Sequence, residues 1–179
     1  MAKIGITGSQ SCGKTTLLND LAELEIFKGY TICNEVTRSL AAKGFTINEG
    51  GNDATQRAIM DVHNDNLQHS DMLTDRTAID GLVYTIWLWK QGNVTTSTVQ
   101  VISHVADALI PDYDIIFYVK PEFDIEDDGV RSASVAFRDE IAALFEEVIT
   151  EKNLQLVPLT GSREERVQQV LTAVKDKQQ

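Results

Sequence analysis

Residues 8–16, Gly8-Ser9-Gln10-Ser11-Cys12-Gly13-Lys14-Thr15-Thr16, constrain the fold of this chain more than any other stretch. They follow a short β-rich run at residues 2–7 and precede Leu17, Leu18, Leu21 and Leu24, which recur at helical spacing. The order is therefore strand, glycine-rich turn, helix, and the spacing Gly8-x-x-x-x-Gly13-Lys14-Thr15 matches a P-loop in the context that the motif requires. The glycines let backbone N–H groups wrap a phosphate, and the helix N-terminus adds favourable partial charge. Lys14 is placed to reach the β/γ oxygens, and the Thr15 hydroxyl to ligate Mg²⁺. The expected contacts to a nucleoside triphosphate are thus Gly8, Ser9, Ser11, Cys12, Gly13, Lys14, Thr15 and Thr16.

Beyond this loop, extended and helical signals alternate to the end of the chain. Strands are predicted at residues 30–34, 72–74, 115–119 and 154–158. Helices are predicted at 36–43, 53–68 with Asp53 as the cap, 78–90, 96–109, 136–152 and 162–175. Five strands alternating with helices imply an α/β three-layer sandwich, a five-stranded parallel sheet with helices on both faces. The 179 residues show no repeat or linker, so residues 1–179 read as a single domain.

A net charge of −11 argues against long nucleic acid as a partner, because backbone binding works by displacing counterions with Lys and Arg. A small anion held by a few local donors is still compatible with that charge. Cys12 and Cys33 have no metal-type spacing and read as reduced thiols. With no signal-peptide pattern and no apolar stretch of membrane length, the expected compartment is the cytoplasm.

Further candidates fall at the C-terminal ends of strands, where open α/β sheets bind ligands. A motor-type ATPase would carry a long apolar strand ending in Asp-Glu, whereas the third strand here ends in Asp75-Arg76. Asp75 is placed to hold Mg²⁺ directly or through water and Arg76 to neutralise phosphate charge; the competing reading is a surface ion pair. After the second strand, Glu35 is a candidate general base and Arg38 a candidate orienter of the acceptor; a capping Glu and a solvated Arg explain them equally well. Of Tyr84, Trp87 and Trp89, one is a candidate to stack on a ring, and the spacing assigns at least one of the two tryptophans to the core or a partner. His63, Asp65 and His69 raise a metal site, but only Asp65 and His69 have i,i+4 spacing, and a solvated helix face accounts for them. His104 reads as a surface or packed imidazole.

Together, residues 8–16, "NEVTR" at 34–38, "TDRTAID" at 74–80, "DDGVR" at 127–131 and "LTGSREERV" at 159–167 resemble P-loop nucleoside and nucleotide kinases. They look most like the ribosylnicotinamide-kinase domain of bifunctional NAD-synthesis regulators and the small stand-alone AAA-type ATPase/kinases grouped with it. The resemblance implies a lid after the fourth strand, at about residues 121–138, that contributes arginines. It points to Glu35 and Arg38 at the acceptor, to Asp75 and Arg76 at metal and phosphate, to Arg131 and Arg138 from the lid, and to Gly161 and Ser162 against adenine. A closing segment with an arginine also makes sense physically, since it excludes water and stabilises charge on the transferring group, and Gly129 supplies a hinge. The competing reading has Arg131 and Arg138 merely offset nearby Asp and Glu.

The sequence therefore leads to an ATP- and Mg²⁺-dependent kinase acting on a small nucleoside or nucleotide, a ribosylnicotinamide-like acceptor first and a deoxynucleoside monophosphate second. Lys14, Glu35, Asp75 and Arg131 are the expected catalytic residues. Two other readings remain: a partner-regulated ATPase or nucleotide switch, and a kinase acting on a modified base in DNA.

Overall fold

Five strands, β1 (Lys3–Thr7), β2 (Thr31–Cys33), β3 (Met72–Asp75), β4 (Ile115–Val119) and β5 (Val157–Leu159), form one parallel sheet in the order β2-β3-β1-β4-β5. The computed structural model describes residues 2–34, 36–120 and 132–177, without the side chains of Arg38 and residues 132–135. The chain leaves β1 for the edge strand β2, returns through β3, and then crosses β1 to reach β4 and β5. Strand order reverses around β1, so the turn that follows β1 emerges at the switch point, where such sheets leave a crevice.

Both faces of the sheet are covered, which explains why all five residues of β4, Ile-Ile-Phe-Tyr-Val, are apolar and buried. On one face, Ile4, Ile6, Leu73 and Phe117 pack against α1 (Lys14–Ala22), through Leu17, Leu18 and Leu21, and against α7 (Arg163–Lys177), through Val170 and Val174. On the other, Met72, Ile116 and Tyr118 meet α3 (Asp53–Asn66), α4 (Ala78–Lys90), α5 (Thr96–Leu109) and α6 (Ser132–Glu151). A small satellite core of Val36, Leu40 and Ile59 joins α2 (Val36–Ala42) to α3.

The expected three-layer sandwich is therefore the observed one, with local corrections. Asn52, not Asp53, caps α3: its extended backbone lets its side-chain oxygen accept from the Thr55 N–H at 3.1 Å. Asp53 is freed to accept from the backbone N–H and hydroxyl of Thr95, at 2.9 and 3.0 Å, which ties the start of α3 to the start of α5. Strand β5 starts at Val157 rather than 154, because the chain leaving α6 first turns through Asn153 at φ 49°.

Candidate active site

Gly8 leaves β1 with φ 144°, and a Cβ there would lie 2.4 Å from the Val119 carbonyl oxygen at the end of β4. Only glycine lets the loop pass so close over the sheet. Gly13 closes the loop in the left-handed region, at φ 88°, and occupies the cap position of α1 with no side chain capping that helix. The first-turn N–H groups of α1 are thus left for an anion. Lys14 is buried and folded back, its Nζ donating to the Ser9 carbonyl at 2.6 Å, while the Cys12 thiol donates to the same oxygen at 3.0 Å.

Opposite the loop, at the end of β3, the Thr15 hydroxyl donates to Asp75 Oδ2. The other oxygen, Asp75 Oδ1, is buried without a hydrogen-bond partner, as is Ser9 Oγ within the loop. Asp75 has the same parity as Leu73 along β3, so it projects to the α1 face of the sheet.

Arg76 follows in the left-handed region at φ 81°, an unusual conformation for a residue with a side chain, and its N–H is held by the Ile6 carbonyl at 2.9 Å. Its guanidinium lies 3.6 Å from Asp80 and 5.2 Å from the centre of the Tyr84 ring. Asp80 is itself buried, accepting from the Thr7 hydroxyl at 2.5 Å and the Thr77 N–H at 2.8 Å; with Thr77 it forms the capping box of α4.

These elements enclose a cleft of about 420 Å³ between the loop and α1 (Ser11, Lys14, Thr15), the start of α2 (Val36, Thr37) and the end of β3 (Asp75, Arg76). Val36, Thr37 and Arg76 also wall a smaller recess that continues to Gln56 and His63 of α3 and Tyr84 of α4. A third hollow of about 300 Å³ lies behind α1, where Gly13 and Thr16 face Gly161, Ser162 and Arg166. There Arg166 donates to the Cys12 carbonyl at 3.0 Å, and Gly161 is left-handed at φ 82° with the Glu165 carboxylate folded over it.

The structure thus brings together the loop residues, Asp75 and Arg76, and places Gly161 and Ser162 beside the loop. Glu35, the side chain of Arg38 and residues 121–131 of the expected lid at about 121–138, with Arg131, lie outside the described residues, whereas residues 132–138 of that lid are the first turns of α6; α2, which carries Arg38, begins at the wall of the cleft. Arg138 is buried on α6, its Nε and Nη2 3.3 and 3.2 Å from Asp139 Oδ1, and it lines neither the cleft nor the recess. Trp87 donates to Glu140 at 2.6 Å and packs on Phe137, and the exposed Trp89 donates to Thr96 at 3.1 Å, so Tyr84 alone of the three aromatics reaches the recess.

His63 corrects the reading of α3 as a solvated face. Asp65 and His69 are exposed, but His63 turns inward against α4 and is 1% exposed. Burial, with the Arg76 charge beside it, pushes its imidazole down to about 3. Among the described residues no group of three or more His, Cys, Asp or Glu could hold a metal ion. His104 is exposed, with Nδ1 2.7 Å from the Gln100 carbonyl. Asp80 and Gln56 were not singled out in the sequence; the Thr77-x-x-Asp80 capping-box pattern was a readable signal for the first.

The fold and the loop define a P-loop protein. The family model described as AAA domain matches residues 3–166, and the chain belongs to that family. NadR in complex with NR shares 19% sequence identity at a TM-score of 0.70, over 97% of this chain and 50% of that one. Deoxyadenosine kinase from M. mycoides, with products dCMP and a flexible dCDP bound, shares 15% identity at a TM-score of 0.69, over 97% of this chain and 98% of that one. YorR from Bacillus subtilis, in complex with phosphorylated GDP, shares 19% identity at a TM-score of 0.60, over 96% and 95%. The chain spans about half the length of the NadR structures it matches. No curated protein matches the sequence.

Proposed function

We propose that the protein is a kinase that transfers the γ-phosphoryl group of ATP to a small nucleoside or nucleotide, with a ribosylnicotinamide-like acceptor first and a deoxynucleoside monophosphate second. The supporting observation is the shared wall of the two cavities. Val36, Thr37 and Arg76 line both the cleft and the recess beyond it, so a triphosphate on the loop side of the cleft adjoins an acceptor that lies at its other end and reaches the recess with its edge.

The triphosphate lies along the loop, held by backbone N–H groups, the α1 N-terminus and Lys14, whose present partner, a carbonyl, is exchanged for phosphate oxygens. Adenine occupies the hollow beside Gly161 and Ser162. The orphaned Asp75 Oδ1 beside the Thr15 hydroxyl fits Mg²⁺, which takes few protein ligands and keeps the rest for phosphate and water. Thr15 and Asp75 would hold the ion, which supplies charge neutralisation on the β- and γ-phosphates. Arg76, fixed by Asp80 and Tyr84, faces the junction and balances charge on the transferring group. Glu35 precedes the two α2 residues that wall the cleft, and in the hydroxyl-acceptor case it takes the proton; Arg38 orients the acceptor.

In this reading residues 1–179 act as a single domain, and the lid brings Arg131 to the phosphates, whereas Arg138, buried on α6, takes no part. Among the described residues no helix is long and apolar enough to cross a membrane, and the compartment proposed is the cytoplasm, where ATP is abundant.

The test is a phosphoryl-transfer screen with ATP and magnesium against ribosylnicotinamide, the common deoxynucleosides and their monophosphates, with Lys14→Ala as the blank. Transfer to at least one acceptor well above the blank is expected. ATP hydrolysis unchanged by every acceptor would instead identify an ATPase.

A further inference from the structure

Nothing in the proposed reaction uses His63, yet its state calls for a ligand. It is 1% exposed, and neither ring nitrogen has a hydrogen-bond partner. No protein group meets its donor or its acceptor, so both have to be met by water or by a ligand. With its pKa pushed down to about 3, chiefly by burial, the ring is neutral and offers one N–H donor and one bare acceptor nitrogen.

Its neighbours are already engaged. The Gln56 carbonyl oxygen accepts from the Thr85 hydroxyl at 2.9 Å, and the Tyr84 hydroxyl donates to Gln10 at 2.8 Å. The recess itself is kept narrow by Gly81, where a Cβ would stand 2.5 Å from Met60 Sδ and 3.7 Å from His63 Cδ2, so α4 closes on α3 at this level because Gly81 carries no side chain. The free space is about 30 Å³, which suits about two water-sized groups. A substituent fits there; a whole ring does not.

Resting on the kinase reading above, we propose that His63 determines acceptor specificity by hydrogen-bonding a neutral amino or carboxamide substituent on the acceptor's ring, which enters the recess while the ring stays in the larger cleft. The chemistry of the walls favours a neutral polar group. Asp80 and Arg76 line the recess as a pair 3.6 Å apart, so an ionic substituent finds no uncompensated opposite charge there to repay its own desolvation. An acceptor lacking the substituent leaves the imidazole orphaned in the complex, so selection acts through the loss of a buried bond.

The test uses the full chain with ATP and magnesium and two matched pairs: deoxyadenosine against purine deoxyribonucleoside, and ribosylnicotinamide against ribosylpyridinium. In the pair that is accepted, wild type favours the substituted member by about 10- to 100-fold in kcat/KM. His63→Leu brings that ratio close to one through the acceptor KM, leaves the ATP KM unchanged, and is as stable to urea as wild type because no hydrogen bond to the protein is lost. His63→Gln, which keeps a donor and an acceptor, retains a preference. Equal use of both members by wild type overturns the proposal without any variant. A preference that survives in His63→Leu overturns it, as does a Leu variant that is less stable than wild type or fails to fold, since the ring is then structural. Transfer to none of the four compounds or their monophosphates above the Lys14→Ala blank removes the kinase reading and the proposal with it, a pattern distinct from the others.

Discussion

Asp80 links the stability of the fold to the geometry of the site, and replacing it with alanine separates the two contributions. At 2% exposure its carboxylate accepts from the Thr7 hydroxyl at 2.5 Å and the Thr77 N–H at 2.8 Å, and lies 3.6 Å from Arg76. Alanine strands the Thr7 hydroxyl, removes half of the capping box of α4, and leaves Arg76 without its anion. Removing one member of a buried pair costs about 3–5 kcal/mol. The Arg76 side chain is 22% exposed and regains some water, so the lower end applies, about 3 kcal/mol. At this chain length that is a fall in Tm of about 6–12 °C. Asp80→Asn keeps the shape and an oxygen for the Thr77 N–H and loses only the charge, so about 1–2 kcal/mol is expected. Urea unfolding followed by circular dichroism gives both values, with an unchanged m value as the control for two-state behaviour. Because Arg76 lines both the cleft and the recess, the proposed function predicts that both variants raise the acceptor KM more than they alter ATP affinity. An Ala variant within about 1 kcal/mol of wild type, or an Asn variant as damaged as Ala, would refute a buried charge pair as the organiser of this corner.

Thr15→Val keeps the volume but removes the hydroxyl opposite Asp75; the magnesium concentration for half-maximal transfer should rise at least tenfold while ATP binding without metal changes little, as isothermal titration would show. Gly8 and Gly44 are both left-handed, but only Gly8 has backbone within reach of a Cβ, so Gly8→Ala should lose about 2–4 kcal/mol and its ATP binding, and Gly44→Ala only about 1 kcal/mol; equal losses would mean that the approach to Val119 is unimportant. With its pKa lowered to about 3, His63 leaves the native chain binding fewer protons than the unfolded chain from about pH 3 to 6.5. The stability of the fold therefore declines as pH falls through that window, with a slope approaching about 1.4 kcal/mol per pH unit. Urea melts at pH 7, 6 and 5 should show this decline in wild type and a shallower one in His63→Gln.

What the sequence disclosed and what it withheld follow from the range of the interactions. Gly8, Gly13, Lys14 and Thr15 are positioned by one local turn, so their spacing alone revealed the loop and its helix. The strands were legible because a sheet covered on both faces needs continuous apolar runs such as residues 115–119. Asp75 and Arg76 were legible from their place at a strand end, but the left-handed backbone of Arg76 was not, because it depends on the Ile6 carbonyl far away in the chain. His63 was misread for the same reason. Its i,i+4 neighbours on α3 give no hint that α4 closes over it, since that approach is set by a glycine, Gly81, in another helix. Local sequence likewise could not decide between Asn52 and Asp53 as the cap, because Asp53 is claimed by Thr95 across the fold.

The sheet also acts as a partition. Leu17, Gly161, Ser162 and Arg166, which enclose the hollow behind the loop, belong to the α1 and α7 side, whereas Gln56, His63, Gly81 and Tyr84 stand on α3 and α4 across the strands. Apart from Tyr84, whose hydroxyl reaches Gln10 in the loop, changes on the second side meet none of these residues of the first. On the kinase reading, a lineage with this architecture can therefore exchange one small molecule for another while its grip on the energy source is largely kept, and directed evolution of α3 and α4 is the economical route to a new preference.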